Sequence, residues 1–308
     1  MEKYSVEFKN VNKKMGGVNR IDNLTLNLSK GKIYAIIGPN GSGKTTLMNL
    51  ITGLYRPDEG KISVFEYNPI SDYKEVRRLI GYVPQETSLY PEFSARDNLR
   101  LYAALYLSDL NDIEGKINEL LKLVELTERA DEPVKTYSGG MKRRLSIGRA
   151  LLTDPKILLL DEPPLGVDVQ GTHRIWEYIK ELRNQNKTIL VTTNVMSEAE
   201  FLGDEVIIID KGVKLCQGSL DDLKNEHGKE IIVIKTEEVI KNEKLQEIFN
   251  EYSTGECDEI LIDAKKESKD ILEIIELIKP YSKIEGIEHR KPTLDDIFLA
   301  KTGRSLRN

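Results

Sequence analysis

No apolar run in this 308-residue chain approaches the length that a bilayer demands. The longest runs, such as Ile157–Leu160 and Val206–Ile209, fall far short of the roughly 18 residues of a spanning helix, so any work at a membrane needs another chain to do the spanning. Cysteine is scarce. Cys216 and Cys257 stand far apart and outside any CxxC spacing, which excludes a disulfide framework and a cysteine zinc site and fits a reducing compartment. Neither sign of charge dominates: 45 Lys and Arg against 51 Asp and Glu leave a net charge of −6, which removes any global bias towards nucleic acid. The opening MEKYSVEFKN lacks an apolar h-region, so no secretory signal is expected. What the chain does have is 39% apolar and 31% charged residues, the balance of a folded chain, in a length that suits one large α/β core with a smaller domain appended. The basic triplet Lys142-Arg143-Arg144 reads as a solvated helix face.

Residues 1–30 alternate apolar and polar, as in YSVEFKNV and IDNLTLNLS, and read as short antiparallel strands. KIYAIIG (Lys32–Gly38) is a buried strand feeding a loop, and TTLMNLITGL reads as the helix after it. Over residues 92–130 apolar positions recur at helical spacing, for example Leu99, Ala103 and Leu107, then Ile117, Leu120, Leu121 and Val124. KILLLDE, KTILVTTN and DEVIIID are runs of buried-strand type, the last followed by a hairpin-like KGVKLCQG. Strands alternating with helices imply a largely parallel sheet. From about residue 229 the rhythm shrinks: EIIVIK, EILIDAK and IEGIEH read as strands, KLQEIFNEYS, DILEIIELIKPYS and TLDDIFLAKTG as helices. Residues 229–308 are therefore expected to form a separate small α+β domain.

GPNGSGKT, Gly38 to Thr45, satisfies G-x-x-x-x-G-K-[ST], placed after a strand and before a helix as that motif requires. Its glycines let successive backbone N–H groups turn inward on phosphate oxygens, and the following helix adds the positive end of its dipole. Gly38, Pro39, Asn40, Gly41, Ser42, Gly43, Lys44, Thr45 and Thr46 are the candidate nucleotide-binding residues, with Lys44 reaching the β- and γ-phosphates and the Thr45 hydroxyl binding Mg²⁺. ILLLDE brings two carboxylates to the C-terminal end of a buried strand, where open α/β sheets bind ligands. Asp161 would hold Mg²⁺ and Glu162 would polarise the attacking water, the positioning and charge neutralisation that phosphoryl transfer needs.

With these motifs in family order, the sequence resembles the ATP-binding subunit of an ATP-binding-cassette (ABC) transporter over residues 1 to about 228. YVPQE puts Gln85 at the family's Q-loop, YSGGMKRR (Tyr137–Arg144) is similar to the signature LSGGQ, GVD (Gly166–Asp168) to the D-loop, and VTTN (Val191–Asn194) to the switch. The resemblance implies a P-loop NTPase core of α/β class with an antiparallel β subdomain and a helical subdomain at about 86–150, followed by the small C-terminal α+β domain. It implies ATP and ADP as ligands with Mg²⁺, and Gln85, Thr45 and Asp161 at the metal. It implies catalytic roles for Glu162, Gln85, Asn194 and Asp168, and a head-to-tail pair with a second copy in which Ser138, Gly139 and Gly140 act in trans on the partner's γ-phosphate.

Three positions depart from the family. Asn194 stands where histidine is usual; it can donate a hydrogen bond but carries no charge, so hydrolysis is expected to be active but slow, and a nucleotide-binding regulator that does not hydrolyse is the competing reading. His173, in a helix upstream, is no substitute. Met15 takes the place of the aromatic residue that stacks on adenine, with Tyr4 and Phe8 as alternatives. Met141 replaces the signature glutamine. The tail RKPTLDDIFLAKTGRSL (Arg290–Leu306) looks like that of daunorubicin-resistance-type export ATPases. Those pair with a separate integral membrane permease of the ABC-2 type, so a peripheral position on the cytoplasmic face of the cell membrane is expected, with no nucleic acid partner. Residues 86–136 are expected to meet the permease, with Leu89, Tyr90 and Phe93 as candidate contacts.

Overall fold

The structure, a computed structural model, describes residues 4–107, 110–163, 169–227, 231–237, 252–254, 259–263, 271–290 and 292–302. The chain divides into two compact units, Met1–Leu220 and Asp221–Asn308. The elements up to the division are β1 (Tyr4–Met15), β2 (Val18–Ser29), β3 (Ile33–Ile37), α1 (Lys44–Ile51), β4 (Glu59–Val64), α2 (Tyr73–Leu79), β5 (Ile80–Val83), α3 (Ala95–Tyr106), α4 (Ile113–Leu123), α5 (Gly139–Leu151), β6 (Ile157–Asp161), α6 (Val169–Asn184), β7 (Thr188–Thr193), α7 (Met196–Leu202), β8 (Glu205–Asp210) and β9 (Val213–Gly218).

The first unit is built on a six-stranded sheet in the order β5-β6-β7-β3-β8-β9, parallel except for the β8–β9 hairpin. Every residue of β3, β6 and β7 is buried. Their near-continuous apolar runs follow from coverage on both faces. Alternate side chains feed two different cores. Ile33, Leu158, Leu160, Ile189 and Val191 pack with α3, α4, α5 and α6 on one face. Tyr34, Ile36, Ile157, Leu159 and Leu190 pack on the other with Leu47, Met48 and Leu50 of α1 and with the antiparallel sheet β2-β1-β4. The first two strands of that sheet run 12 residues each, longer than the short strands expected, because they pair along nearly their whole length. The helical layer follows from amphipathic spacing: Ala95, Leu99 and Ala103 are buried in α3, and Ile117, Leu120 and Leu121 in α4. Ser94 caps α3 by accepting from the Asp97 N–H.

The second unit opens with α8 (Leu220–His227), whose first residue lies at the division. It holds β10 (Ile231–Thr236), β11 (Tyr252–Thr254), β12 (Glu259–Asp263), α9 (Ile271–Ile278), β13 (Ile284–Arg290) and α10 (Leu294–Thr302). Its strands form an antiparallel sheet in the order β11-β12-β10-β13, with Ile274 and Ile278 of α9 packed on Ile232, Ile234, Ile260 and Ile262. The helix expected over KLQEIFNEYS lies mostly outside the described residues, but its end does not hold. Tyr252 and Ser253 are extended and pair with Ile262 and Leu261, because an edge position on β12 supplies the hydrogen bonds that a helix end would leave open.

Where β3 ends, the chain turns with no space to spare: a Cβ on Gly38 would lie 2.1 Å from the carbonyl oxygen of Ile209 in β8. Gly38→Ala is expected to force that strand apart at a cost of about 1–3 kcal/mol, as overpacking does. A thermal unfolding midpoint lowered by several degrees is the expected result, and an unchanged midpoint would show that the turn adapts.

Candidate functional site

Four loops meet along one edge of the parallel sheet because β5, β6, β7 and β3 are neighbours and point the same way. Gln85 follows β5, Asp161 and Glu162 end β6, Asn194 follows β7, and the phosphate loop follows β3. Ligands bind at such strand ends in open α/β sheets.

The phosphate loop is held from below. Gly43 adopts φ +111°, and a Cβ there would lie 2.4 Å from the carbonyl oxygen of Arg20 in β2, so only glycine fits this passage into α1. Lys44 is buried, and its Nζ donates to the carbonyls of Gly38 at 2.7 Å and Pro39 at 3.3 Å. It lies 3.8 Å from Glu162 Oε1. Burial pulls the Lys44 ammonium below its ordinary pKa, and the charges of Glu162 and Asp161 oppose that pull.

Asp161 and Glu162 are adjacent yet point apart. Glu162 has φ +47°, an uncommon conformation for a non-glycine residue and one that carries a cost of about 1 kcal/mol or more. Its N–H donates to the Thr192 carbonyl and hydroxyl, both at 3.1 Å, which hold the turn. The Glu162 Oε2 accepts from Gln85 Nε2 at 3.0 Å. Asp161 is 1% exposed; its Oδ1 accepts from the Thr192 hydroxyl at 2.5 Å, while its Oδ2 has no hydrogen-bond partner among the described residues. The Ser42 hydroxyl is likewise buried and without one, and Thr45 is exposed at the mouth of the loop. Among the described residues no cluster of three or more His, Cys, Asp or Glu could hold a metal by itself. Hard oxygens such as these, free of partners among the described residues or open to solvent beside a phosphate loop, are the donor type that suits Mg²⁺, an ion that commonly keeps phosphate and water among its ligands.

The basic triplet is not a solvated face. Arg143 is 2% exposed and reaches inward from α5. Its Nε donates to the Pro163 carbonyl at 2.7 Å, its Nη2 to the Asp161 carbonyl at 2.5 Å, and its Nη1 to the Pro84 carbonyl at 2.5 Å and the Gln85 carbonyl at 3.4 Å. Burial pushes its pKa down to about 10 against the pull of Asp161. Lys142 and Arg144 are only partly buried, and Arg144 reaches Glu125 and the Val124 carbonyl. A run of three basic residues gives no sign of which one turns in; an inward-facing helix position beside apolar Leu145 and Ile147 was the available signal.

Asn194 is exposed at the end of β7. Beside it, the Thr193 hydroxyl accepts from the Val195 N–H at 3.0 Å and donates to Glu198 Oε2 at 2.5 Å. Glu198 is buried and was not singled out in the sequence, since one acid in an exposed-looking MSEAEF carries no mark of burial. Ser138 caps α5, accepting from the Met141 N–H at 3.2 Å. Ser138 and Gly139 are exposed, and no hydrogen bond among the described residues joins them to the phosphate loop of the same chain. Met141 is half-buried, its sulfur accepting from Arg129. Met15 is half-buried at the tip of the β1–β2 hairpin, whereas Phe8 is in the core, which removes it from the alternatives. His173 packs edge-on against Trp176 and Phe201. Asp168 lies outside the described residues.

The profile of the family described as "ABC transporter" matches residues 21–164, and that described as "ATP-binding protein DrrA1-3-like, C-terminal domain" matches residues 218–302. The linearmycin resistance ATP-binding protein of Bacillus subtilis is 33% identical over 310 residues, covering 98% of this chain and 100% of that protein. The Nod factor export ATP-binding protein I of Bradyrhizobium diazoefficiens is 33% identical over 320 residues, covering 99% of each. Among solved structures, an ATP-binding subunit of an ABC transporter is similar with a TM-score of 0.66 and 30% identity, over 72% of this chain and 93% of that one. A dimeric ATP-binding cassette in a post-hydrolysis state bound to ADP and Pi has a TM-score of 0.64 and 31% identity, over 70% of this chain and 98% of that one.

Burial lifts the Glu198 carboxyl above its ordinary pKa; the Thr193 hydroxyl opposes this and the Glu162 charge adds to it. The folded state therefore holds the Glu198 proton more tightly than the unfolded chain, and that contribution to stability is lost as pH rises from the ordinary glutamate range through the folded pKa. Glu198→Gln, which keeps an acceptor for Thr193, is expected to stabilise the protein at neutral pH, with the gain shrinking towards pH ~4.5. Denaturant unfolding across pH measures this, and a pH-independent difference would contradict it.

Proposed function

This chain belongs to the family of ABC transporter ATP-binding subunits, and from that membership we propose that it is the ATP-hydrolysing motor of an exporter. The observation that carries the reading is the convergence of Lys44, Gln85, Asp161 and Glu162 on one sheet edge, from segments far apart in sequence. Lys44 and the N–H groups of the loop bind the phosphates of ATP. Glu162 accepts a proton from the water that attacks the γ-phosphorus as the bond to ADP breaks, and Gln85, hydrogen-bonded to Glu162, orients that water. Asn194 donates to a γ-phosphate oxygen. Thr45, Asp161 and Gln85 would hold Mg²⁺, which when bound neutralises phosphate charge. Met15 packs on adenine. Ser138, Gly139 and Gly140 of a second copy complete the site, and Asp168 belongs to the same dimer contact.

The relatives' names support export as the direction, and the C-terminal match supports a permease of the ABC-2 type as the partner. No helix among the described residues is long and apolar enough to cross a membrane, in keeping with a peripheral subunit on the cytoplasmic face. Tyr90 and Phe93, 53% and 44% exposed, stack on each other at 5.5 Å, and together with Leu89 they suit docking to that permease. Residues 1–228 form the cassette in this reading and 229–308 the appended domain.

Steady-state hydrolysis tests the assignment. Glu162→Gln should retain ATP binding and lose on the order of 10²–10³ in turnover, as should wild type stripped of Mg²⁺ by chelator. Equal, background rates in wild type and Glu162→Gln would sink the enzyme reading and leave a nucleotide-binding regulator. Asn194→His should raise turnover with little change in ATP affinity, since it restores a longer donor that can carry charge; an unchanged or lower rate would count against the role given to residue 194.

A further inference from the structure

We propose that Arg143 is a positioning residue that couples the signature end of α5 to Gln85 and Glu162, the two side chains that prepare the attacking water. The inference rests on the reading of Ser138–Gly140 as the contact with a second copy's γ-phosphate.

A guanidinium offers five N–H donors in a rigid planar fork. Here the fork is spent on four main-chain carbonyls in two loops. Asp161 and Pro163 bracket Glu162, and Pro84 and Gln85 form the base of the Q-loop. The two loops are joined a second time by the Gln85–Glu162 hydrogen bond. One side chain thus fixes the backbone on both sides of the carboxylate and beneath the glutamine. No carboxylate oxygen is within ion-pair distance of Arg143 among the described residues, although Asp161 and Glu162 act on its charge from farther away.

The other end of the lever is the start of the same helix. Ser138 accepts from the Met141 N–H through its hydroxyl and from the Lys142 N–H through its carbonyl, so the signature turn is rigidly part of α5. Ser138 and Arg143 are five residues apart, about 7–8 Å along a helix axis. A helix end pressed onto a phosphate therefore moves the guanidinium, and with it the two loops. Neighbouring Arg144 points away and serves as the control. If packing were the whole purpose, an apolar side chain would do as well, since a buried charge held only for stability is commonly replaceable by an apolar group. Positioning of a reacting group is sensitive on a finer scale, where displacements near 1 Å cost on the order of 10² in rate.

The test separates turnover from binding. Arg143→Met keeps the length of the stem and removes the fork. Turnover should fall by about ten- to a hundredfold while ATP affinity stays within about threefold of wild type. ATP-driven dimerisation, measured by light scattering in the Glu162→Gln background, should survive the added Arg143→Met change. Arg143→Lys, which retains charge but reaches fewer carbonyls, should recover part of the turnover, and Arg144→Gln should leave it unchanged. Turnover equal to wild type in Arg143→Met overturns the proposal, as does a loss matched by an equal loss of ATP affinity or of dimerisation. If Arg143→Met does not fold, Arg143→Lys must show the same split at smaller size; if that too fails to fold, the residue is structural and the proposal is overturned. Wild-type protein that neither dimerises on ATP nor hydrolyses it would instead refute the functional reading beneath.

Discussion

A parallel sheet presents the C-terminal ends of all its strands along one edge, and the pairing of β3 between β7 and β8 decides which loops share that edge. Ile37 pairs with Thr193 and Asp161 pairs with Thr192, so the strand ends are level with one another. Without that register the phosphate loop, the acidic pair and Asn194 would be unrelated turns. The register is in turn imposed by burial: alternate residues of β3, β6 and β7 enter two separate cores, and a slip of one residue would exchange them.

What this edge assembles is close to electrically balanced. Lys44 and Arg143 supply two buried cations, and Asp161 and Glu162 two acids next to them. Neither cation is neutralised by a tight ion pair of its own. Lys44 rests on the carbonyls of Gly38 and Pro39, and Arg143 on those of Pro84, Asp161 and Pro163. Main-chain dipoles fix such groups without consuming the carboxylates, which among the described residues leaves Asp161 Oδ2 uncommitted and the Glu162 carboxylate engaged with Gln85 and, at longer range, Lys44. The left-handed turn at Glu162 is where local strain is accepted so that adjacent carboxylates serve two directions.

The signature turn makes no hydrogen bond to this cluster among the described residues. Ser138 and Gly139 are exposed at the start of a helix whose interior side is tied, through Arg143, to the main chain on either side of Glu162. One helix, α5, thus carries both an exposed N-terminal turn and, through Arg143, the backbone bonds that hold the two loops at the sheet edge.

Much of the candidate site was legible in the sequence, because the residues proposed for it lie in local motifs. The phosphate loop needs only a strand, a glycine-rich turn and a helix in succession, and Gly38 and Gly43 stand where any Cβ would strike backbone. Asp161 and Glu162 announced themselves by ending a run of buried leucines, and the alternation of Leu158, Leu159 and Leu160 between two cores is a property of parallel strands that composition already implied. The tertiary structure alone decided the rest. It turned Arg143 inward where a basic triplet suggested solvent, buried Glu198 against Thr193, excluded Phe8 from contact with a ligand, and made Tyr252 and Ser253 an edge strand. The placings of Arg143, Phe8, Tyr252 and Ser253 depend on which distant segment lies opposite, and that of Glu198 on how the chain packs over it; such burial leaves no trace in the local pattern of either partner.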